Sequence, residues 1–323
     1  MALTVLVLAE PGDKALSALD AIGPAVEVVV GHRAEAFAEA APRAAVLLAW
    51  SSDRATLERV FEAAPLVRWV HSWAAGVDWL LFPSLLARDV VLTNTRGVYG
   101  DSLAEFALGA MLYFAKDLSR MKASQRARRW DPFDVQMLRG ATLGIVGYGD
   151  IGRRVAALGA SVGMKLLALR RHPERSTADA TRVSPAPEMV ISTRTLCERS
   201  DYLVLAAPIT PETRHMIGKD ELDAMRPGAV LINVGRGALV DQAALVDALQ
   251  RGVLRGAALD VFETEPLPAD DPLYGLDNVL LSPHTADHTA TWREEAMQCF
   301  LENLRRFRAG EPLLHVVDRT RGY

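Results

Sequence analysis

Residues 142–152 read Thr-Leu-Gly-Ile-Val-Gly-Tyr-Gly-Asp-Ile-Gly, and a helical pattern follows directly. A short β-branched run leads into the G-x-G-x-x-G spacing of Gly147, Gly149 and Gly152. The first glycine permits a tight turn, the second lets the backbone approach a pyrophosphate, and the third lets the new helix pack closely on its strand. The N–H groups at the start of that helix then face the anion. The stretch predicts a dinucleotide-binding β-α-β unit, and the alternative is a purely structural strand-to-helix turn.

Length and composition describe an ordinary globular protein of two domains. The chain has 323 residues, of which 50% are hydrophobic and 24% charged. A net charge of −4 argues against nucleic acid as the main partner. The two cysteines, Cys197 and Cys299, have no metal-like spacing, so we expect no metal site and a reducing compartment. The apolar run Thr4–Leu8 is too short for a signal peptide and no stretch is long enough to span a bilayer, which predicts a soluble, cytoplasmic protein without a membrane partner.

Strand-like runs alternate with helical ones along the whole chain, a pattern typical of parallel sheets covered by helices. The strand candidates are Thr4–Leu8, Val26–Val30, Ala45–Ala49, Trp69–Ser72 and Val90–Asn94 before residue 100, and Thr142–Val146, Lys165–Leu169, Tyr202–Ala206, Ala229–Val234, Ala257–Leu259 and Val279–Ser282 after residue 140. Helices are predicted at Ala34–Ala41, Thr56–Ala63 and Ser102–Lys116, and from about Thr291 to Arg308. The sequence therefore predicts two doubly wound α/β units, with the C-terminal helix returning to cover the first.

Three polar residues follow apolar strands in the second half of the chain. Arg236 lies in Asn233-Val234-Gly235-Arg236-Gly237, Glu265 lies just beyond the strand that ends at Asp260, and His284 follows Val279–Ser282. The carboxyl ends of parallel strands meet at one sheet edge, where open α/β sheets bind ligands. Arginine can hold a carboxylate with two hydrogen bonds, and a carboxylate beside a histidine favours the protonated imidazole. The structural alternatives are a surface cation, a helix-start anion and a buried hydrogen-bonded ring.

Several longer motifs resemble the D-isomer-specific 2-hydroxyacid dehydrogenase family over essentially the whole chain. The matching segments are Gly147–Gly152, Asp201–Gly218, Leu231–Leu249, Ala258–Pro266, Ser282–His284 and the C-terminal 315–323. The resemblance implies that Arg236, Glu265 and His284 are the catalytic set. It also implies that the backbone N–H groups of Ala75 and Gly76, in Ser72-Trp73-Ala74-Ala75-Gly76-Val77-Asp78, bind the substrate carboxylate together with Arg236.

The same resemblance implies the architecture and the reaction. It predicts a flavodoxin-like substrate-binding domain, residues 1–99 plus 287–323, and a Rossmann NAD(P)-binding domain, residues 100–286. It also implies that a 2-oxo acid, held between the domains, and a D-2-hydroxy acid are interconverted by hydride transfer with the nicotinamide. Glyoxylate and hydroxypyruvate are the first candidate substrates, and larger 2-oxo acids remain open. The resemblance further implies a homodimer, formed through the Ser102–Lys116 helix and the basic loop after it.

The end of the second strand bears on the choice of cofactor. An acidic side chain about twenty residues after the glycines usually holds the ribose 2′-hydroxyl of NAD. Here Leu169 is followed by Arg170 and Arg171, whose guanidinium groups would attract a 2′-phosphate. The sequence thus predicts NADP as the preferred cofactor with NAD possible, and an exposed basic turn is the alternative. The glycine turn and the strand end predict Gly147, Gly149, Asp150, Ile151, Gly152, Arg170 and Arg171 as cofactor-binding residues, and the family resemblance implies Pro208, Val234 and Asp260 in addition.

Positions 287 and 288 bear on the choice of proton donor. Asp287 stands where many relatives have glycine, and His288 adds a second imidazole near the predicted proton donor.

A formate or phosphite dehydrogenase would share this fold, but Glu265 favours the hydroxyacid branch because formate enzymes pair the histidine with glutamine. A non-catalytic, corepressor-like nucleotide sensor would also share the fold, and the complete catalytic set favours an enzyme instead.

Overall fold

A computed structural model describes residues 2–51, 53–170 and 183–322. The strands of these residues are β1 Leu3–Leu8, β2 Val26–Gly31, β3 Val46–Ala49, β4 Trp69–Ser72, β5 Val91–Thr93, β6 Thr142–Val146, β7 Lys165–Leu169, β8 Glu188–Val190, β9 Tyr202–Leu205, β10 Val230–Asn233, β11 Gly256–Leu259 and β12 Val279–Leu281. The α-helices are α1 Arg54–Glu62, α2 Pro83–Leu86, α3 Gly100–Ala115, α4 Leu118–Arg126, α5 Asp150–Ser161, α6 Thr193–Arg199, α7 Lys219–Ala224, α8 Gln242–Gln250 and α9 Trp292–Ala309. None of the helices described has both the length and the apolar composition that a membrane crossing requires.

The chain divides into two units, the first of which is Met1–Tyr99 with Thr289–Tyr323. Its five strands are all parallel, in the order β2-β1-β3-β4-β5. This is the flavodoxin-like order, in which the chain reverses direction across the sheet between β1 and β3. The alternation of side chains along β1 places Leu6 and Leu8 in one buried cluster and Val5 and Val7 in another, to which α9 contributes Phe300. Helix α9 thus covers one face of this sheet.

The second unit, Gly100–His288, contains a seven-stranded parallel sheet. Its order is β12-β11-β10-β9-β6-β7-β8, so the reversal of strand order lies between β6 and β9. Counted from β6, this is the Rossmann order with one additional strand. The prediction of two doubly wound parallel sheets, one flavodoxin-like and one Rossmann, is confirmed.

Two local predictions differ from the structure. The Ala34–Ala41 segment does not form one α-helix but two short 3-10 turns, Ala34–Phe37 and Ala41–Arg43. Pro42 follows Ala41 directly, and a proline disfavours α-helical backbone at the residue before it. The edge strand β8 was not predicted, because its three residues, Glu188-Met189-Val190, carry too little apolar periodicity to be distinguished from a loop.

Candidate active site

The glycine-rich turn connects β6 to α5 with the geometry that an anion-binding turn needs. Gly147 has φ of +90°, and a Cβ atom there would lie 2.7 Å from the carbonyl oxygen of Ala206. A Cβ atom on Gly152 would lie 2.1 Å from the Gly147 carbonyl oxygen, so only glycine permits this packing of helix on turn. A Cβ atom on Gly149 would meet nothing within 4 Å. Gly149 is also the N-cap residue of α5, and because it has no side chain it cannot accept hydrogen bonds from the first N–H groups of the helix. Because the N-cap supplies no side-chain acceptor and the space beside Gly149 is open, the turn fits a cofactor phosphate.

The end of β7 lies beside this turn at the same edge of the sheet. Leu169 closes β7, its carbonyl oxygen accepts a hydrogen bond from the Gly147 N–H at 3.0 Å, and Arg170 follows it half-buried. Arg171, the other predicted 2′-phosphate ligand, lies outside the described residues. The first side chain after β7 is therefore a cation, in the place where NAD-binding sheets usually carry an acid.

Arg236 is held by a turn that Asn233 stabilises at the end of β10. The Asn233 side chain is 1% exposed, accepts a hydrogen bond from the Gly235 N–H at 3.1 Å and donates one to the Arg236 carbonyl oxygen at 2.9 Å. Next along the chain, a Cβ atom on Gly237 would lie 1.8 Å from the Phe262 carbonyl carbon. The turn that carries Arg236 therefore packs directly on the segment that carries Glu265. The role of Asn233 was missed, although an asparagine at a strand end before Val-Gly is a recognisable turn signal.

Glu265 and His284 form a hydrogen-bonded pair. The Nδ1 atom of His284 lies 2.7 Å from Oε2 of Glu265, whose other oxygen accepts a hydrogen bond from the Phe262 N–H at 2.8 Å. Burial favours the neutral form of Glu265, but the hydrogen bonds from His284 and Phe262 outweigh it and lower the pKa of Glu265. The hydrogen bond to Glu265 raises the pKa of His284, against the opposing effects of burial and of the Arg236 charge. The hydrogen bond therefore favours the carboxylate form of Glu265 and the imidazolium form of His284, and it leaves Nε2 of His284 as the nitrogen not engaged by Glu265.

Asp260 fixes the segment that presents His284. Its carboxylate, 1% exposed at the end of β11, accepts three hydrogen bonds at Oδ1, from the Ser282 hydroxyl at 2.6 Å and from the N–H groups of Thr285 and Ala286 at 3.0 Å each. His284 itself has φ of +55°, a left-handed conformation that is uncommon for a residue with a side chain. Such backbone persists only where the surroundings determine it, and here Asp260 supplies those surroundings.

The remaining predicted site residues also follow strand ends. Val234 directly follows β10 and is 4% exposed, and Pro208 lies three residues beyond β9 at the surface. In the first unit Ala75 and Gly76 follow β4, and the Asn94 side chain donates a hydrogen bond to the Ala75 carbonyl oxygen at 2.6 Å. Each unit thus gathers its own predicted residues at the carboxyl edge of its own sheet.

The second histidine has a different environment. His288 Nε2 lies 3.7 Å from Oδ1 of Asp287, whereas His284 contacts Glu265 at hydrogen-bonding distance. Burial raises the pKa of Asp287, so this carboxyl group is a poorer anionic partner than Glu265. The described residues contain no group of three or more His, Cys, Asp or Glu side chains that could hold a metal ion. These contrasts favour His284 over His288 as the proton donor.

Fold and site together define an NAD(P)-dependent oxidoreductase of 2-oxo and D-2-hydroxy acids. The family profile described as "D-isomer specific 2-hydroxyacid dehydrogenase, NAD binding domain" matches residues 108–286. The chain is 38% identical to a glyoxylate reductase of Korarchaeum cryptofilum over 80% of this chain and 79% of that protein. The chain belongs to the D-isomer-specific 2-hydroxyacid dehydrogenase family.

Two further relatives extend the comparison. A D-3-phosphoglycerate dehydrogenase of Methanocaldococcus jannaschii is 33% identical over 97% of this chain, which spans only 59% of that protein's length. A D-isomer-specific 2-hydroxyacid dehydrogenase of Xanthobacter autotrophicus Py2, solved in complex with NADPH and MES, superposes with a TM-score of 0.85. Its sequence is 31% identical, and the match covers 100% of both chains. The family assignment thus holds along the whole length of the chain.

Proposed function

We propose that this enzyme reduces a 2-oxo acid to a D-2-hydroxy acid with NADPH as its preferred reductant, and that His284, Glu265 and Arg236 carry the chemistry. The observation that carries the proposal is the Glu265–His284 hydrogen bond of 2.7 Å beside a buried turn that bears Arg236. When bound, the reduced nicotinamide supplies a hydride to the substrate's carbonyl carbon. The glycine turn, Val234 and Asp260 are the groups of this chain that would hold that cofactor.

Each catalytic side chain has a separate task. His284 holds a proton at Nε2 and passes it to the carbonyl oxygen as negative charge develops there. Glu265 positions the ring through Nδ1 and keeps it protonated. Arg236 and the backbone N–H groups of Ala75 and Gly76 bind the substrate carboxylate. Positions 75 and 76 need small residues because a larger side chain would keep the carboxylate away from these N–H groups. The glyoxylate reductase among the relatives makes glyoxylate a first substrate to assay.

The preference for NADPH rests on Arg170. It is the first residue after β7, at the edge where the adenosine ribose lies in Rossmann domains, and no acid precedes it in the strand. The Xanthobacter relative was solved with NADPH, which agrees with the proposal. A charge-assisted hydrogen bond contributes about 1.5–3 kcal/mol, so one such contact gives roughly 10–100-fold discrimination.

Reduction of 2-oxo acids with each cofactor at equal salt tests the proposal. We expect kcat/KM to be larger with NADPH, chiefly through KM because the contact is remote from the reacting carbon. Arg170→Asp should move the preference toward NADH, since it removes an attraction and adds a repulsion. Arg308→Asp, the same charge reversal at an exposed position of α9, is the control and should leave the ratio unchanged. Equal kcat/KM values in the parent, or a ratio that Arg170→Asp does not alter, would refute the role of Arg170.

We also infer a homodimer, formed through the segment after α3. Residues 118–137 carry the exposed apolar side chains Leu118, Met121, Trp130, Val135 and Met137, and Trp130 is 97% exposed. The segment is nevertheless well anchored, because Asp131 pairs with Arg120 at 2.9 Å and the Gln136 N–H donates to the Ala115 carbonyl oxygen at 2.8 Å. An ordered backbone that displays apolar side chains favours burial against another protein surface.

We place the enzyme in the cytoplasm. Cys197 is buried and Cys299 is half-buried, and neither forms a disulfide. Burial raises the pKa of the Cys197 thiol to about 12 and of the Cys299 thiol to about 11, so both remain unreactive thiols. This cysteine usage agrees with a reducing compartment.

A further inference from the structure

The first unit contains a cavity at the point where its strand order reverses. The cavity has a volume of about 710 Å³ and is lined by residues that follow β1, β3 and β4, among them Asp13, Trp50 and Trp73, and by the start of α9 with Trp292 and Arg293. In a sheet of order 2-1-3-4-5, ligands bind outside the carboxyl ends of β1 and β3, at this switch point. The topology alone therefore marks this cavity as a ligand site of the first unit.

Three tryptophan side chains give the cavity rigid aromatic walls. Trp50 is 7% exposed, and its indole Nε1 donates a hydrogen bond of 3.0 Å to the carboxylate of Asp13. The rings of Trp73 and Trp292 pack together with centroids 5.3 Å apart, and Trp292 is 8% exposed. Because these rings are already held in place, an incoming ring pays little ordering entropy when it packs against them.

Asp13 and Arg293 neutralise each other in the lining of the cavity. The Asp13 side chain is 9% exposed, and its carboxylate is paired with the Arg293 guanidinium, which also lies 4.7 Å from the centroid of the Trp292 ring. The exposed rim adds Glu10, Glu294 and Lys14, so the lining carries three carboxylates and two cations. The excess negative charge disfavours a second carboxylate, solvent screens the exposed rim charges, and the tryptophan walls favour an uncharged ring.

We propose that this cavity takes the side chain of the substrate and that the enzyme acts on aryl-substituted 2-oxo acids, of which phenylpyruvate is the simplest test compound. The inference rests on the proposed function, because it takes the N–H groups of Ala75 and Gly76 as the carboxylate site. Trp73 lines the cavity and precedes Ala75 by only two residues, so the cavity adjoins that site within the same loop. Glyoxylate carries only hydrogen in place of a side chain and would leave the tryptophan walls without a partner.

The decisive experiment compares kcat/KM for glyoxylate, pyruvate and phenylpyruvate in the full-length enzyme with NADPH. We expect phenylpyruvate to exceed pyruvate by roughly 10–100-fold, the discrimination that apolar pockets achieve. Trp50→Ala should reduce that ratio by about tenfold, mainly by raising KM for phenylpyruvate, since ring packing is uniform binding. Trp50→Phe should restore most of the ratio, which separates loss of the wall from loss of folding. Tyr274→Ala removes a ring that is 58% exposed and outside the cavity lining, and should leave the ratio at its parent value.

The possible results separate this inference from the function on which it rests. Turnover of glyoxylate or pyruvate with kcat/KM equal to or above that of phenylpyruvate would overturn the inference and leave the 2-oxo acid reductase in place. An equal loss on all three substrates in both Trp50→Ala and Trp50→Phe would also overturn it, since the ring would then serve only the fold. Failure to reduce any 2-oxo acid with either cofactor would refute the proposed function itself.

Discussion

At the scale of single residues, the proposed chemistry depends on how Glu265 controls the protonation of His284. The 2.7 Å hydrogen bond raises the pKa of His284, so its imidazolium form persists to a higher pH than that of an isolated histidine. Arg236 acts in the opposite direction on His284. In the proposed mechanism, Glu265 thus keeps His284 charged beside Arg236, the proposed ligand of the substrate carboxylate.

Replacement of Glu265 by glutamine tests this electrostatic role. Glu265→Gln keeps the shape of the side chain but withdraws the charge, so the raised pKa of His284 should fall. Because reduction needs the protonated ring, kcat/KM for 2-oxo acid reduction should then decline at a lower pH than in the parent. The measurement is the pH profile of kcat/KM, with Glu263→Gln, two residues away on the same segment, as the control. An unchanged profile in Glu265→Gln would show that the carboxylate does not set the protonation of His284.

The placement of the catalytic candidates could be predicted from the sequence because each follows an apolar strand and parallel strands bring their carboxyl ends to one edge, whereas the roles proposed for them rest on the family resemblance. Asn233 and the three bonds to Asp260 could not be predicted in the same way. The Asn233 bonds join a side chain to the backbone of a turn, and those at Asp260 join it to the Ser282 hydroxyl and to two backbone N–H groups of a distant loop. Hydrophobic periodicity does not predict the path of that loop. His284 illustrates the point, since its left-handed backbone follows from those bonds and not from its residue type.

At the scale of secondary-structure elements, the junction of β6 and α5 determines whether the second unit can hold its cofactor. The glycine pattern could be recognised in the sequence because each glycine has its own steric reason. In the structure, a Cβ atom at Gly147 or at Gly152 would collide with a backbone oxygen. Shorter elements were less predictable. The 3-10 turns near Pro42 and the edge strand β8 are too brief for hydrophobic periodicity to define them.

Two glycine-to-alanine changes distinguish a steric glycine from a merely permissive one. Gly152→Ala places a methyl group 2.1 Å from a backbone oxygen that cannot move aside, so it should lower the free energy of unfolding by about 1–3 kcal/mol. It should also weaken NADPH binding, because α5 must shift. Gly109→Ala lies within α3, where the new methyl group meets nothing within 4 Å, and should raise the free energy of unfolding by up to about 1 kcal/mol. Urea unfolding and NADPH titration provide the readouts, and equal effects of the two changes would contradict the packing described.

At the scale of the whole molecule, the two doubly wound parallel sheets agree with the sequence prediction, since alternating strands and helices leave few right-handed parallel arrangements. Association between copies is different, because it depends on which apolar side chains stay exposed after folding. Trp130 and Met137 show this, as nothing in the local sequence separates them from core residues, yet they are 97% and 65% exposed.

The homodimer can be tested by sedimentation velocity. We expect the enzyme to sediment as two chains of 35.1 kDa each. Combined Trp130→Asp and Met137→Asp should shift it to monomer at the same concentration, because the two charges would be buried in the interface. Leu66→Asp, at a position 59% exposed in the other unit, controls for charge alone and should leave the dimer intact. A parent enzyme that sediments as a monomer at micromolar concentration would contradict the proposal.

The proposed reaction depends most on His284, which would supply the proton during 2-oxo acid reduction. The most direct measurement is kcat for His284→Ala and for His288→Ala, each assayed with NADPH and the best 2-oxo acid of the parent. We predict a loss of roughly 10²–10⁴-fold in His284→Ala, the usual contribution of a positioned acid. His288→Ala should retain near-parent kcat, because Glu265 forms its hydrogen bond with His284, whereas His288 lies 3.7 Å from Asp287. Abolished turnover in His288→Ala together with retained turnover in His284→Ala would contradict the assignment of the donor.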